Sequence, residues 1–256
     1  AYKIFKKKAG SLPLCYYLIQ NVKPTKKTKI YDSFVEDFID FDIHQYQFIP
    51  NKNIDLVKKV LSKTKDNLED YYYFTPPKVK KDTESYFDTY SKSHPYPLLN
   101  YVHKKIYISY ASSPSYLQNG RPKLVFPNYS MGYPILDFDG ILDVGGRSSY
   151  VLYVENNDIN RLKKIQQFFL TNLALTLINS LKTAQKFLST RTFTLFPDTS
   201  KLSISMKDED LESYYHLNSK DKKCIDYQIE KGEGNLTEKR RGRNYYIFIT
   251  KLFIIK

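Results

Sequence analysis

The feature that most constrains the fold is an apolar repeat at helical spacing between residues 156 and 188. Its apolar side chains recur at three- and four-residue steps, with no Gly or Pro from 147 to 196. The repeat consists of Ile159, Leu162, Ile165, Phe169, Leu173, Leu177, Leu181, Ala184 and Leu188. Asn156, Asn157 and Asp158 precede it and are typical of helix starts. The pattern predicts one bent helix, or two in succession, that must bury a broad apolar face.

Short extended segments precede this helix from residue 96 onward. They are rich in β-branched and aromatic residues and are bounded by Gly, Pro or Asn. The segments are YPLLNYVHKKIYISYASS (two strands), KLVFPN, YPILDF and SSYVLYVEN. A run of strands followed by a helix that needs a surface to cover predicts an α+β protein. We expect a mixed β-sheet packed against a long helix, with a smaller basic N-terminal region.

Further helices are predicted on either side of this unit. Asn51 or Asn53 can cap a helix whose apolar residues include Ile54, Val57 and Val60. A second helix is expected near DTESYFDTY, and a third over residues 207–230.

Composition shifts divide the chain into four regions. These are a basic N-terminal α/β region (1–66), a polar connection (67–95) with the break TPPK, an α+β domain (96–234) and a basic and apolar tail (235–256). Within the first region, residues 1–30 carry eight Lys and no acid, whereas residues 31–42 carry five acids and no Lys or Arg. The tail joins a basic cluster to an apolar, strand-like end with no obvious partner.

The net charge of +13, from 40 basic and 27 acidic residues, favours an anionic partner such as nucleic acid. An alternative remains open, because 33 of the 40 basic residues are Lys and only seven are Arg. Lys, Tyr, Ile and Asn all have A/T-rich codons, so an A+T-rich genome can produce the same excess without a partner.

Cysteine usage and hydropathy point to an intracellular protein. Cys15 and Cys224 have no CxxC spacing and no paired His, which indicates neither a disulfide framework nor a zinc site. The segment LPLCYYLI contains Pro13 and lacks a cleavage site, so we do not expect a signal peptide. No apolar stretch is long enough for a membrane span. The first residue, Ala1, suggests a processed product, a fragment or a subunit.

The signals for catalysis are weak. Gly145-Gly146, between two extended runs, is expected to be a hairpin turn first and a phosphate-binding backbone loop second. Asp137 and Asp139 alternate on a strand and, with Asp143, permit a carboxylate or metal site. Pro197-Asp198 fits a PD-(D/E)xK nuclease only loosely. The four histidines (44, 94, 103 and 216) lack ligand spacing, and no GxSxG occurs. We expect no catalytic residue, metal or cofactor.

Cations interleaved with aromatic residues favour nucleic-acid contacts at strand ends. The expected phosphate-binding residues are Lys104, Lys105, Arg121, Lys123 and Arg147, and the expected base or sugar contacts are Asn128, Tyr129 and Ser148. A solvated rim with no partner is the alternative.

Residues 95–218 resemble the carboxy-terminal target-recognition regions of adenine-specific DNA methyltransferases. The resemblance rests on GRPKLVFPNYS, on the glycine turn before SSYVLYVEN, and on LFPDTSKL after the long helix. It extends to fused restriction-modification enzymes and their relatives in large DNA viruses. The catalytic (D/N)PP(Y/F) motif of that family is missing, since the only Pro-Pro lies in Thr75-Pro76-Pro77-Lys78. Its glycine-rich cofactor motif is missing too.

The resemblance implies a double-stranded DNA-binding recognition module over residues 96–234, without its own methylating half. A catalytic methyltransferase or nuclease chain is then an expected partner, in the cytoplasm or nucleus. The alternative is a structural or virion-associated protein of a large DNA virus that reuses the fold and binds virion proteins. A nuclease or methyltransferase subunit is a third interpretation.

Overall fold

The computed structural model describes residues 27–46, 49–63, 68, 73–74, 86–87, 89–102, 106–127, 134–144, 149–181, 192–193 and 195–228. Within them the strands are β1 (Thr28–Asp32), β2 (Asp37–Phe41), β3 (Tyr73–Phe74), β4 (Tyr86–Phe87), β5 (Tyr96–Val102), β6 (Ile106–Ala111), β7 (Lys123–Pro127), β8 (Ile135–Asp137), β9 (Asp143–Val144) and β10 (Ser149–Leu152). The helices are α1 (Ile43–Tyr46), α2 (Ile54–Lys63), α3 (Ile159–Phe169), α4 (Asn172–Leu181), α5 (Asp208–Tyr215) and α6 (Ser219–Gln228). The protein is α+β, as predicted.

The strands form two four-stranded sheets and a two-stranded ribbon. One sheet has the order β3-β10-β7-β8 and is antiparallel throughout. The other has the order β4-β6-β5-β9 and is mixed, because β9 runs parallel to β5. β1 and β2 form the ribbon. A helix is predicted near DTESYFDTY, but Tyr86 and Phe87 of this segment form the strand β4, which pairs with β6.

Side chains of the central strands point alternately to opposite faces of the antiparallel sheet, so the fold has three layers: helices, antiparallel sheet and mixed sheet. Leu124 and Phe126 of β7 face the main core, which also contains Leu162 and Phe169 of α3 and the buried face of α4. Val125 points the other way, into a second cluster with Leu99 of β5. The β3-β10-β7-β8 sheet is therefore covered by helices on one face and by the mixed sheet on the other.

The predicted long helix is two helices in succession. Asp158 caps α3 by accepting hydrogen bonds from the N–H groups of Asn160 and Arg161, at 2.9 and 3.1 Å. α3 ends near Leu170, and the Thr171 hydroxyl both donates to the Phe168 carbonyl and accepts from the Ala174 N–H. Thr171 thus ends one helix and starts the next. The rest of the predicted repeat, residues 182–188, lies outside the described residues.

α2 is capped from a distance. The side chain that accepts the Ile54 N–H is Asp32 of β1, at 2.7 Å, and not Asn51 or Asn53 as predicted. Asn53 contributes its backbone carbonyl to Val57 and its side-chain amide to the Ser180 hydroxyl of α4, at 2.9 Å. α2 consequently shares the main core with the helices that follow the sheets.

The single helix predicted over residues 207–230 is also two helices, α5 and α6. His216 adopts a left-handed conformation, with φ of 54°, and separates α5 from α6. The described part of the chain contains no helix with the length and apolar character that a membrane crossing requires.

Candidate nucleic-acid interface

The strand register shows where the segments that carry the predicted DNA contacts attach to the sheets. Pro127, the last residue of β7, pairs with Ser149, the first residue of β10. β8 begins at the same end, where Ile135 pairs with Val125. The segments around 128–133 and 145–148 therefore attach to one end of the antiparallel sheet.

A third segment, residues 103–105 between β5 and β6 of the mixed sheet, attaches at the same end. β9 runs parallel to β5, with Val144 beside Leu99, so both strands finish in the same direction. Five peptide steps join Val144 to Ser149, which limits the distance between these Cα atoms to about 19 Å. Six predicted site residues belong to the three segments: Lys104, Lys105, Asn128, Tyr129, Arg147 and Ser148. They lie outside the described residues, so their side-chain contacts stay predictions.

Arg121 and Lys123 lie at the other end of β7. Lys123 is its first residue and Arg121 precedes it, whereas the three segments attach beyond its last residue. The two predicted site residues that the structure describes therefore lie at the end of β7 opposite the one where the three segments attach.

Lys123 does not belong to any binding surface. Its ammonium Nζ is fully buried, 2.8 Å from the Asp137 Oδ2 and 2.7 Å from the Leu117 carbonyl oxygen. Burial lowers the pKa of Lys123, while the charge of Asp137 and the hydrogen bond to it oppose that shift. The prediction that Lys123 contacts a phosphate is wrong, because its only charged group is enclosed between the two sheets.

Asp137 completes the pair and fixes a loop. Its carboxylate accepts the N–H groups of Ile141 and Leu142, at 3.2 and 2.8 Å, in addition to the Lys123 ammonium. Asp139, by contrast, is exposed in the bend after β8. The predicted shared face of Asp137 and Asp139 is corrected: one carboxylate belongs to a buried ion pair and the other faces solvent.

Asp143 does not restore a carboxylate or metal site. Burial raises its pKa, against hydrogen bonds from Ser115 and from the Val144 N–H. Within the described ranges, no group of three or more His, Cys, Asp or Glu side chains is placed to hold a metal ion.

Of the two predicted site residues that the structure describes, Arg121 is exposed to solvent. Its guanidinium carbon lies 4.8 Å from the centre of the Tyr153 ring, and its Nε donates to the Asn157 Oδ1 at 3.1 Å. Its backbone N–H donates to the Asn119 Oδ1 at 3.0 Å. Stacking on Tyr153, which is only 9% exposed, holds the planar group against a rigid wall.

The loop that carries Arg121 is tightly anchored. Gly140 has a φ of +62°, and a Cβ atom there would lie 2.3 Å from the Arg121 backbone nitrogen. The Gly120 N–H donates to the Gly140 carbonyl at 3.3 Å. Gln118 donates its side-chain amide to the Pro97 and Ile141 carbonyls, at 3.0 and 2.9 Å. The backbone beneath Arg121 is therefore positioned by both sheets.

The Gly145-Gly146 segment is not a hairpin turn. β9 before it belongs to the mixed sheet and β10 after it belongs to the antiparallel sheet, so the segment connects two sheets. The glycines themselves lie outside the described residues.

Other catalytic candidates have structural roles. Asp198 of the loose PD match pairs with Arg161, at 3.2 Å, and caps the turn at Thr199–Lys201 by accepting the Ser200 N–H. Burial raises the pKa of Cys224 to about 12, which removes it as a nucleophile near neutral pH. Cys15, His103 and the side chain of His44 lie outside the described residues.

A polar cleft of about 450 Å³ lies between α2 and α6 and was not predicted. Its lysines are already engaged: Lys59 contacts Asp221, Lys220 contacts Asp55 at 3.3 Å, and Lys58 donates to the Asp40 carbonyl at 3.1 Å. The two ion pairs neutralise Lys59 and Lys220 and join α2 to α6, whereas the Lys58 contact joins α2 to β2.

The sequence predicts Arg121 as a site residue but gives no indication of the residues that position its side chain. Tyr153 and Asn157 are more than 30 positions away along the chain, and no local pattern joins them to Arg121. No protein-family model matches the chain. The comparison with curated proteins likewise finds no match.

Proposed function

We propose that this chain binds double-stranded DNA as a recognition module without catalytic residues of its own. The observation that carries the proposal is the exposed Arg121 guanidinium, stacked on Tyr153 and bonded through Nε to Asn157. A guanidinium held in this way presents its terminal nitrogens with little further loss of side-chain entropy. It suits the bidentate contacts that Arg makes with phosphate or with a guanine edge.

The second contact region is the opposite end of β7, where the segments with Lys104, Lys105 and Arg147 attach. The five residues of β7 span about 14 Å, at about 3.4 Å per residue. One turn of duplex is about 34 Å long. One turn exceeds the length of β7, but both faces of its sheet are covered, so a duplex that contacts both ends has to run along an edge of the fold. The net charge of +13 supports an anionic partner in general.

The test measures binding of random-sequence duplexes by fluorescence anisotropy over a range of salt concentrations. Each phosphate contact is expected to contribute about 0.9 log units of affinity per log unit of salt. We expect Arg121→Ala, and separately Lys104→Ala with Lys105→Ala, to weaken binding and flatten this slope.

The matched control removes an exposed cation elsewhere. Lys207, before α5, is exposed, and Lys207→Ala changes net charge as much as Arg121→Ala does. An affinity that is independent of salt, or an equal loss for Lys207→Ala and Arg121→Ala, would reject the proposed interface.

A further inference from the structure

An unusual apolar surface lies on the outer face of the β1–β2 ribbon. Tyr31 and Phe38 are cross-strand partners with ring centres 5.5 Å apart, and they are 51% and 61% exposed. The opposite face of the ribbon is the one that packs inward, through Phe41 and the capping residue Asp32. Two adjacent aromatic rings of this exposure are uncommon on a surface that has no partner.

The edge of β1 has no further strand partner among the described residues, whereas on β2 the Asp40 carbonyl accepts the Lys58 ammonium. Among the described residues, β1 and β2 form strand pairs only with each other. An isolated two-stranded ribbon is marginally stable, and its unpaired N–H and C=O groups can accept a further strand. The surface therefore offers both main-chain pairing and an apolar contact.

The chain leaves the described helices beside this ribbon. Phe34, in the turn between β1 and β2, packs its ring 5.4 Å from the ring of Tyr227, one residue from the end of α6. The sequence continues for 28 residues after Gln228. Sixteen of them separate Gln228 from Tyr245, and they can span about 50 Å when extended, which exceeds the roughly 14 Å length of β1.

The end of the sequence has the composition of a strand. Of the 11 residues in YYIFITKLFII (245–255), nine are apolar or aromatic, and none is Gly or Pro. The residues at odd positions and those at even positions are both mainly apolar, as is typical of a strand that is covered on both faces. The N-terminal segment 1–26 is a poorer strand candidate, because it contains Gly10, Pro13 and Pro24.

Charge complementarity points to the same pairing. The hairpin exposes Glu36 and Asp37, while the Asp40 carboxylate already lies 3.9 Å from the Lys27 ammonium. The basic cluster Lys239, Arg240, Arg241 and Arg243 immediately precedes the apolar segment. Attraction between these opposite charges favours a start of the added strand at the hairpin end of the ribbon. The attraction acts over roughly 8 Å, the Debye length at physiological salt.

We propose that residues 245–255 of the same chain add beside β1 as a third strand and place apolar side chains against Tyr31, with residues 239–243 against the acidic hairpin. This docking does not depend on DNA binding. It provides the apolar tail with a partner and closes an edge that otherwise favours association between chains.

The absence of tryptophan from the sequence makes a direct test possible. Tyr31→Trp introduces a single indole reporter at the proposed contact. In the full chain we expect a blue-shifted emission and slow quenching by acrylamide. Removal of residues 245–256 should shift the emission to the red and raise the quenching rate. The matched control is Tyr116→Trp, at a position that is 53% exposed on the loop before β7. Its emission should not respond to the truncation.

Full-length variants protect the test against misfolding of the truncated chain. In the Tyr31→Trp background, Arg240→Glu, Arg241→Glu and Arg243→Glu together should expose the indole reporter, and Glu36→Lys with Asp37→Lys should restore its shielding. An indole reporter that is solvent-exposed in the full chain overturns the proposal. Shielding that survives the truncation, or that responds to removal of residues 1–26, also overturns it. Shielding that grows with protein concentration assigns the strand to a second copy and rejects docking within one chain.

Discussion

The Lys123 ammonium lies 2.8 Å from the Asp137 carboxylate, and both side chains are completely buried between the two sheets. The two residues are direct partners in the β7–β8 register. Through the Leu117 carbonyl and the Ile141 and Leu142 N–H groups, the pair holds two loops at the start of β7. A cation that suggested DNA binding is therefore part of the scaffold that positions its neighbour Arg121.

Removal of one member of this pair should destabilise the fold strongly. We expect Lys123→Met to lower the free energy of unfolding by about 3 to 5 kcal/mol, because it leaves the buried Asp137 carboxylate without its counter-charge. Urea denaturation followed by circular dichroism measures the change.

The double variant Lys123→Met with Asp137→Asn distinguishes the effect of the unpaired charge on stability from the effect of the changed packing. It is neutral and keeps an acceptor for the Leu142 N–H, so it should be more stable than Lys123→Met alone. Equal stability of the two variants would contradict the role assigned to the uncompensated charge.

The two glycines near Arg121 form a matched pair of sites. Both have positive φ, +62° at Gly140 and +74° at Gly120, but a Cβ atom would collide with backbone only at Gly140. We expect Gly120→Ala to cost about 1 kcal/mol from conformational strain and Gly140→Ala to cost clearly more. Thermal unfolding measures both. Similar losses at the two positions would show that contact with Arg121 does not constrain Gly140.

Asn157 should influence DNA binding through Arg121. Its Oδ1 accepts the Arg121 Nε, so Asn157→Ala should free the guanidinium and reduce duplex affinity less than Arg121→Ala does. In a double-mutant cycle, Asn157→Ala should add little once Arg121 is Ala, because the two residues act as a unit. Anisotropy titrations test this. Additive losses would mean that Asn157 contacts DNA independently.

The cap of α2 should be measurable at Asp32. Its Oδ2 accepts the Ile54 N–H at 2.7 Å, although 22 positions separate the two residues. Asp32→Ala should destabilise the protein by about 1 to 2 kcal/mol through loss of this cap. Asp226→Ala removes an exposed acid of α6 and should have almost no effect. Urea denaturation compares them, and equal losses would contradict the capping role.

The buried Cys224 thiol should reduce stability at high pH. Burial raises its pKa to about 12 in the folded state, from 9.0 for an ordinary thiol. Below pH 9 the thiol is protonated in both states and has no effect. Above pH 9 the unfolded state releases the proton and the folded state does not, so stability falls as pH rises toward 12.

The limiting slope is about 1.4 kcal/mol per pH unit. Comparison of the wild type with Cys224→Ala in reducing buffer at about pH 8 and about pH 10 isolates this contribution. The wild type should lose more stability than the variant over this interval. An identical pH dependence would show that Cys224 is accessible to solvent and titrates normally.

The sequence determined the elements whose signals are local. The spacing of apolar residues predicted α3 and α4, and the short runs of β-branched and aromatic residues predicted β5, β6, β7, β8 and β10. These patterns arise because neighbouring residues alternate between faces in a strand and recur every three or four positions in a helix. The α+β class followed from the order of these elements.

The tertiary structure decided which charges remain at the surface. Lys123 and Arg121 are two positions apart, and nothing local separates a buried ion pair from an exposed cation stacked on Tyr153. The outcome depends on the β7–β8 register, which brings Asp137 to Lys123, and on the chain after β10, which brings Asn157 to Arg121. A buried charge is tolerated only where a distant residue supplies its partner, and that pairing exists only after the chain has folded.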